Sequence, residues 1–482
     1  MNRVLAFFAL GLAAVTPAAG QAVRSDTVRY SVAEAVDHAL HASDEVKLSR
    51  LTLAQSDAQF GAARASAVPQ IRFNGSYSQV IQNARATIVG SVFGQSYTYQ
   101  GTFVASQTLF QGGRIMWGSR SASRLRDASE FDAGEARARL AVDMQRAYLN
   151  AVYLGRLVEL QERNLALSTE RLQQVEQLLA AGRSSRYDLL RARVARANIE
   201  PLVLQARNDR ENALLDLKRL LDVDMYRPLA LTTTLDTASV RMVVNAVIAD
   251  AAPDAVRGSV QSAELTLLAR QDGVRVARAA LFPTVSATFN YGYLGLPTKN
   301  GLPDRFGATS GAYCDPPSTT KVCQNNGFFA DRSFGVQVSW AVFDGLLTKS
   351  NIELASVQRS IAETNLHQQR EAAALDLARA RAEFDRARAA WDARGQNSAE
   401  AEESYNLAAL RFTRGLGTQL DVTDAQFAML TAQANEARAL VDVYLAAADL
   451  ARVRGRPIPL PTGALLSVRS SSGISSRDPN TP

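Results

Sequence analysis

Apolar residues recur at alternating intervals of three and four within two very long segments, residues 114–180 and 347–412. This spacing is a heptad seam, which is typical of helices that pack side by side in a coiled coil. A helix over residues 114–180 would be about 100 Å long, much longer than a globular domain is wide. The seam of the first segment consists of Leu154, Val158, Gln161, Leu165, Ser168, Leu172, Val175 and Leu179.

Apolar and polar residues alternate strictly within residues 69–110 and 283–343, which predicts four β-strands. Each has about the length that a tilted strand needs to cross an outer membrane. A soluble antiparallel sheet with one buried face would alternate in the same way, but the neighbouring segments are long rods rather than compact covers. We therefore expect one face to contact lipid and the other to line a lumen. The residues predicted to contact lipid are Phe73, Phe103, Phe289, Tyr291, Val336 and Trp340.

Four strands are too few to close a membrane barrel, whose minimum is about eight. Because open strand edges in lipid would leave backbone groups unpaired, other copies of the chain must complete the ring. A dimer with eight strands and a trimer with twelve both meet this requirement.

Short motifs in the first half of the chain recur in the second half, as when Leu51-Thr52-Leu53 returns as Leu265-Thr266-Leu267. The chain is therefore interpreted as a duplicated half, with a first repeat over residues 23–239 and a second over residues 240–455. Each repeat is predicted to contain a helix, two strands, a very long helix and, after a glycine-containing turn, a return helix. Pro201 is expected to kink the first return helix or to end its first part. The predicted segments are residues 31–67, 69–110, 114–180 and 185–220, then 240–281, 283–343, 347–412 and 418–453.

The two ends of the chain differ from the repeats. Residues 1–22 have the features of a signal peptide, with a short apolar run after Arg3 and small residues at the cleavage positions. The tail over residues 456–482 is expected to be partly disordered. Because an exported protein meets an oxidising compartment, we predict a disulfide between Cys314 and Cys323, the two cysteines of the chain.

Composition narrows the possible functions. The net charge of +6 is spread along the chain without a basic block, so a nucleic-acid partner is not expected. Three histidines and two cysteines exclude thiolate zinc sites and leave little material for histidine-based catalysis. The sequence contains neither a nucleotide-binding P-loop nor a Gly-x-Ser-x-Gly elbow. We therefore expect no enzymatic activity and no cofactor or metal ion.

Several short motifs, taken in their order and in duplicate, resemble the TolC-like outer-membrane efflux channels. The resemblance implies a mainly helical fold with a membrane β-barrel, in which a homotrimer forms a 12-stranded barrel in the outer membrane of a Gram-negative-type bacterium and a 12-helix α-barrel across the periplasm. It implies a passive exit duct of a tripartite efflux or type I secretion system, with a periplasmic adaptor and an inner-membrane pump as partners. The motifs are Ala65-Ser66-Ala67-Val68-Pro69-Gln70-Ile71, Ala280-Leu281-Phe282-Pro283-Thr284-Val285, Leu109-Phe110-Gln111-Gly112-Gly113-Arg114 and Gly415-Leu416-Gly417-Thr418-Gln419-Leu420-Asp421-Val422-Thr423-Asp424-Ala425.

The alternative interpretation is a soluble periplasmic coiled-coil adaptor, which would also carry a signal peptide and heptads. An adaptor is expected to have one coiled-coil hairpin flanked by β-domains. The two copies seen here, with strands between the helices, favour the channel.

The resemblance also implies where the channel opens to the periplasm. Asp421 and Asp424 match the stretch where the family carries inward-facing aspartates, so a trimer would form two rings of carboxylates that favour cations. Asp188 stands at the equivalent position of the first repeat, followed by Arg191 where the second aspartate would be. A network between Arg191 and Asp421 or Asp424 is one interpretation. Capping of the helix N-termini by Asp188 and Asp421 is another.

Two positions depart from the gates of the family. Phe412 stands where those gates use a tyrosine, and Gly417 stands where they use an arginine. The closed state of this chain is therefore expected to be held by other contacts, with Phe412 and Arg191 as candidates for the network.

Overall fold

The structure is a computed structural model that describes residues 27–81, 97–295, 302, 305–306, 327–460 and 465–466. The predicted signal peptide, the predicted disulfide between Cys314 and Cys323 and most of the predicted C-terminal tail lie outside these residues. Within the described ranges, no helix combines the length and the hydropathy needed to cross a membrane.

Long helices form most of the molecule. In chain order the helices are α1 (Val32–Ala42), α2 (Asp44–Ala65), α3 (Arg114–Ala180), α4 (Arg186–Leu221), α5 (Thr237–Ala249), α6 (Gly258–Arg278), α7 (Leu347–Thr413) and α8 (Gln419–Val453). The two longest, α3 and α7, have 67 residues each, which makes each about 100 Å long. Their return helices, α4 and α8, have 36 and 35 residues. The predicted long helices are confirmed to within about one residue at each end.

The predicted heptad seam lies at the contacts of α3 with its neighbours. Val158, Ser168 and Val175 are buried, and the other seam residues are half-buried. α3 packs along α4 on one side and along α2 and α6 nearer its start, while α7 packs along α8 and α6. The coiled-coil interpretation of this pattern is confirmed.

The other helical predictions need correction. Residues 31–67 form two helices rather than one, because Ser43 has an extended backbone and its hydroxyl accepts the Glu45 N–H as the N-cap of α2. Residues 240–281 are likewise divided, with Pro253 in the break between α5 and α6. Of the two expectations for Pro201, that the first part of the helix would end there is wrong, since α4 continues through it; a kink at Pro201 stays a prediction. α4 packs along α3, which favours the continuous helix although the proline removes one backbone hydrogen bond.

The strands form one main sheet and two small ones. They are β1 (Val28–Tyr30), β2 (Gln70–Gln79), β3 (Tyr97–Gln111), β4 (Leu229–Leu231), β5 (Thr284–Gly295), β6 (Arg305–Phe306), β7 (Gly327–Ser339), β8 (Ile458–Pro459) and β9 (Leu465–Leu466). In the main sheet the order is β2-β3-β5-β7-β6. The first four strands are antiparallel to their neighbours, whereas β6 contributes a two-residue parallel pairing at the edge of β7. The four predicted strands are confirmed, although the last one ends at Ser339, just before Trp340.

The strand register places the predicted apolar residues on one face of the sheet. Phe73 pairs with Phe103, and Phe103 pairs with Tyr291. Because directly paired residues point to the same side, the three rings share one face. Phe289 lies two residues before Tyr291 on β5 and Ala287 lies four before it, so both point to this face. Val336 pairs with Ala287 and therefore shares it. A β-bulge between Thr108 and Phe110 of β3 shifts the register, so Phe110 lies on that apolar face as well.

The hydrophobic core lies halfway along the helices. Here β1 pairs in parallel with β4, and α1 and α5 pack beside α3 and α8. Two fully buried tyrosines connect the helices of this core to neighbouring backbone. The Tyr148 hydroxyl donates to Tyr30 O at 2.8 Å, and the Tyr444 hydroxyl donates to Pro459 O at 2.7 Å. Desolvation raises the pKa of Tyr444 well above its usual value, which keeps it a hydrogen-bond donor.

Candidate functional site

The candidate site lies at the end of the helices farthest from the main sheet, where α3 turns into α4 and α7 turns into α8. We call this the turn end. Both turns have the same geometry, since Gly182 and Gly415 have φ of 70° and 74°. In each turn the glycine N–H and the following N–H donate back to the last turn of the long helix. Glycine is favoured at these positions because a side chain is strained at positive φ.

Asp188 and Asp421 occupy equivalent positions after these turns. Each is the third residue of its helix and forms a capping box. The Asp188 Oδ2 accepts the Ser185 hydroxyl at 2.6 Å and the Ser185 N–H at 3.1 Å, while the Asp421 Oδ2 accepts the Thr418 N–H at 2.9 Å. The pKa of Asp188 is lowered by the hydrogen bond from the Ser185 side chain and then by the Ser185 N–H. The pKa of Asp421 is lowered by the hydrogen bond from the Thr418 N–H and then by the hydrogen bond with the Thr418 side chain.

Asp424 has different surroundings, although it lies one helical turn from Asp421. Its side chain is exposed, and no hydrogen bond or ion pair to another described residue holds it. The structure thus gives Asp188 and Asp421 the capping role, while the carboxylate of Asp424 is free of it. Whether these residues form rings around a pore depends on other copies of the chain and remains a prediction.

Arg191 and Phe412 lie near this site without contacting the aspartates of α8. Arg191 is half-buried and lowers the pKa of Asp188 as a lesser, coulombic influence. Among the described residues it makes no ion pair with Asp421 or Asp424. Phe412 is half-buried under the guanidinium of Arg171, whose Cζ lies 5.1 Å from the ring centroid, so it connects α7 to α3 by a cation–π contact.

A buried polar contact that the sequence reading missed joins α3 to α8. The Gln426 Nε2 donates to the Asn164 Oδ1 at 2.6 Å and lies 3.3 Å from the Ser168 hydroxyl. These three side chains are only 7–8% exposed. The sequence did contain one sign of this contact. Ser168 is a polar residue at a seam position, and a buried polar side chain in a coiled coil needs a hydrogen-bond partner.

This contact borders a groove of about 590 Å³ between α3, α4 and α8. The groove has an apolar floor that includes Leu160 and Leu430, and Arg191 and Phe427 line it. Gln419, which also lines it, is 6% exposed and its Oε1 has no hydrogen-bond partner among the described residues. None of the described residues forms a cluster of histidine, cysteine, aspartate and glutamate that could hold a metal ion.

Comparison with solved structures identifies the fold. The outer membrane channel CmeC of Campylobacter jejuni superimposes with a TM-score of 0.73 at 18% identity, covering 92% of this chain and 88% of that chain. VceC of Vibrio cholerae gives 0.70 at 17% identity, covering 88% and 96%. The Neisseria gonorrhoeae channel MtrE, in its open state, gives 0.67 at 20% identity, covering 88% and 89%. At these identities the likeness shows a shared fold.

The sequence family completes the comparison. None of the curated proteins compared with this chain matches it. The model of the family described as "Outer membrane efflux protein" matches residues 35–222 and again residues 255–456, which together are most of the chain. The protein therefore belongs to the outer membrane efflux protein family.

Proposed function

We propose that this protein is the outer-membrane exit duct of a tripartite efflux or type I secretion system, through which substrates pass passively to the cell exterior. The observation that carries the proposal is a sheet of four long strands and the short β6, whose two outer edges are largely unpaired, at the end of helices about 100 Å long. All ten residues of β2 are exposed. Apart from the two-residue pairing with β6, the outer edge of β7 has no partner among the described strands.

These open edges favour closure by further copies of the chain. Since β2, β3, β5 and β7 alternate in direction, β7 of one copy runs antiparallel to β2 of the next. A ring of copies can therefore close without a mismatch. Closure would satisfy the edge backbone groups, which lipid cannot do. An eight-stranded barrel has an interior just filled by side chains, so a conducting duct favours the twelve strands of a homotrimer.

In such a trimer the apolar face of the sheet would contact outer-membrane lipid, and the helices would extend through the periplasm to the turn end. A passive duct needs other proteins to deliver its substrate. We propose a periplasmic adaptor, and through it or beside it an inner-membrane pump, as partners at the turn end.

The turn end then becomes the periplasmic entrance. Asp424, free of a capping role, is the best placed of the aspartates to supply a ring of carboxylates that favours cations. The Gln426–Asn164 hydrogen bond and the stacking of Phe412 on Arg171 would hold α8 and α7 against α3 and so keep the entrance narrow.

Cell fractionation followed by planar-bilayer recording tests the proposal. The protein is expected to sediment with outer membranes, to require detergent for release and, once purified, to form conducting channels. Release by salt and an absence of conductance would instead indicate a soluble adaptor.

A further inference from the structure

A cluster of arginines surrounds one buried carboxylate just below the main sheet. Asp272 of α6 is fully buried. Its Oδ2 accepts the Arg124 Nη1 at 2.6 Å, its Oδ1 accepts the Arg275 Nη1 at 3.0 Å, and the Arg120 Nε lies 3.8 Å away. One negative charge thus faces three positive charges, which leaves the cluster with a net charge of about +2.

The arginines of this cluster have two different roles. Arg124 is mostly buried and also donates to Leu268 O at 2.8 Å, so it joins α3 to α6. Arg120 and Arg275 have side chains that are 54% and 48% exposed. Both guanidinium groups lie over the ring of Trp117, at 5.7 and 4.3 Å from its centroid. The aspartate and the indole therefore hold two arginines whose remaining N–H groups are open to a ligand.

The position of the cluster indicates which ligand. Trp117 lies four residues, or roughly 6 Å, beyond Gly113 at the sheet end of α3, and Arg120 lies roughly 10 Å beyond it. The exposed apolar side chains of Phe282 and Trp340 mark the adjoining edge of the sheet. If the sheet occupies the hydrocarbon layer, the headgroup layer extends about 5–8 Å further. Arginine side chains are long enough to reach into that layer from just below it.

The neighbouring helix ends add to the positive charge. The last two turns of α2 and the first two turns of α3 contain no acidic residue. The bases at this level outside the cluster are Arg64, Arg114, Arg278 and Lys349, and the acids at the start of α7 are Asp344 and Glu353, so the surroundings keep an excess of positive charge.

We propose that Arg120 and Arg275, held by Trp117 and Asp272, bind the phosphate of an anionic phospholipid headgroup in the membrane leaflet next to the helices. The planar, multidentate guanidinium suits a phosphate, and tryptophan is enriched at the boundary between lipid and water. The site would fix the height of the protein in the membrane. This inference rests on the proposed function, because it places the sheet in a bilayer.

The test compares the purified protein with the double variant Arg120→Gln/Arg275→Gln. Native mass spectrometry measures how much phosphatidylglycerol each retains. Loss of two arginines at an anionic surface is expected to weaken lipid binding roughly 30-fold. The variant Arg120→Lys/Arg275→Lys keeps both charges but not the planar guanidinium groups that stack on Trp117, so it should restore only part of the binding.

A matched control exists on the same helix. Arg139 and Arg146 are exposed and both pair with one aspartate, Asp143, but Arg139 lies roughly 28 Å farther from the sheet than Arg120. Arg139→Gln/Arg146→Gln should retain phosphatidylglycerol like the original protein.

Four outcomes would overturn the inference. Two concern the variants: the Arg120→Gln/Arg275→Gln variant retains as much phosphatidylglycerol as the original protein, or the control variant loses as much as it does. The third is displacement of the lipid by an equal concentration of inorganic phosphate. The fourth is a changed ion selectivity of the Arg120→Gln/Arg275→Gln channel, which would place the arginines in the lumen. Planar-bilayer recording of the same preparations separates the two proposals. If the original protein conducts while lipid retention is unchanged in the variant, only the lipid site fails. If it forms no channel, the proposed function fails.

Discussion

The hydrogen bond between Gln426 and Asn164 offers the sharpest test of how the proposed entrance is held closed. Gln426→Leu keeps an apolar side chain at this buried position but removes the amide that donates to the Asn164 Oδ1 at 2.6 Å. The Asn164 oxygen would remain in a site that is 8% exposed, and an unsatisfied buried acceptor costs about 1–3 kcal/mol. If that free energy favours the arrangement in which α8 lies against α3, its loss shifts the closed-to-open equilibrium roughly 5- to 150-fold towards opening.

Single-channel recording measures this shift directly. The variant is expected to show larger or more frequent openings, and cells that produce it should become more sensitive to large antibiotics that the outer membrane normally excludes. Gln433→Leu is the matched control. Gln433 lies two turns farther along α8 and is half-buried, and its Oε1 has no hydrogen-bond partner among the described residues.

Two results would refute this reasoning. One is a Gln426→Leu channel with the conductance and open probability of the original protein. The other is an identical change in Gln433→Leu, which would point to a general loosening of α8. A circular-dichroism melt of both variants checks that the helices remain folded.

Three further predictions concern other parts of the chain. Asp424→Ala should weaken cation selectivity and block by trivalent cations, measured as reversal potential and current in a planar bilayer; unchanged values would remove the carboxylate ring. Val336→Lys, on the apolar face, should impair trimer assembly by about 2–4 kcal/mol if it lies at mid-membrane, and Gln337→Lys much less; equal assembly on gels would contradict the assigned faces. Mass spectrometry without reductant should find Cys314 and Cys323 linked, and alkylation of both thiols would disprove the disulfide.

The periodic parts of the fold were predictable because each has a strong local signal. Heptads predicted α3 as one very long helix, and strict alternation predicted which side chains share a face of the sheet. The parallel pairing of β1 with β4 was not predictable in this way, because Val28 and Leu229 are far apart in sequence and their strands have only three residues each. The bulge before Phe110 was also missed, since it is an extra residue in an otherwise regular alternation.

The candidate site was predictable in outline but not in its contacts. The turn glycines and the aspartates after them identified the turn end, and the capping role of Asp188 and Asp421 was one of the two interpretations. The contact between Gln426 and Asn164 depends on how α8 lies against α3 across 262 residues of sequence. Neither residue lies at an apolar seam position, so a search for heptads passes over both.

The duplication suggests where the selectivity of the proposed entrance would arise. Asp188 and Asp421 are equivalent, and both use one carboxylate oxygen to cap a helix, a role that any helix beginning at such a turn would need. Three residues later the two repeats differ, with Arg191 in one and Asp424 in the other. A trimer would therefore place three arginines and three aspartates at equivalent heights, Arg191 half-buried beside the groove and Asp424 exposed. Because both repeats share the caps but differ at these positions, the charge that an ion would meet at the proposed entrance would depend on the position where the repeats have diverged.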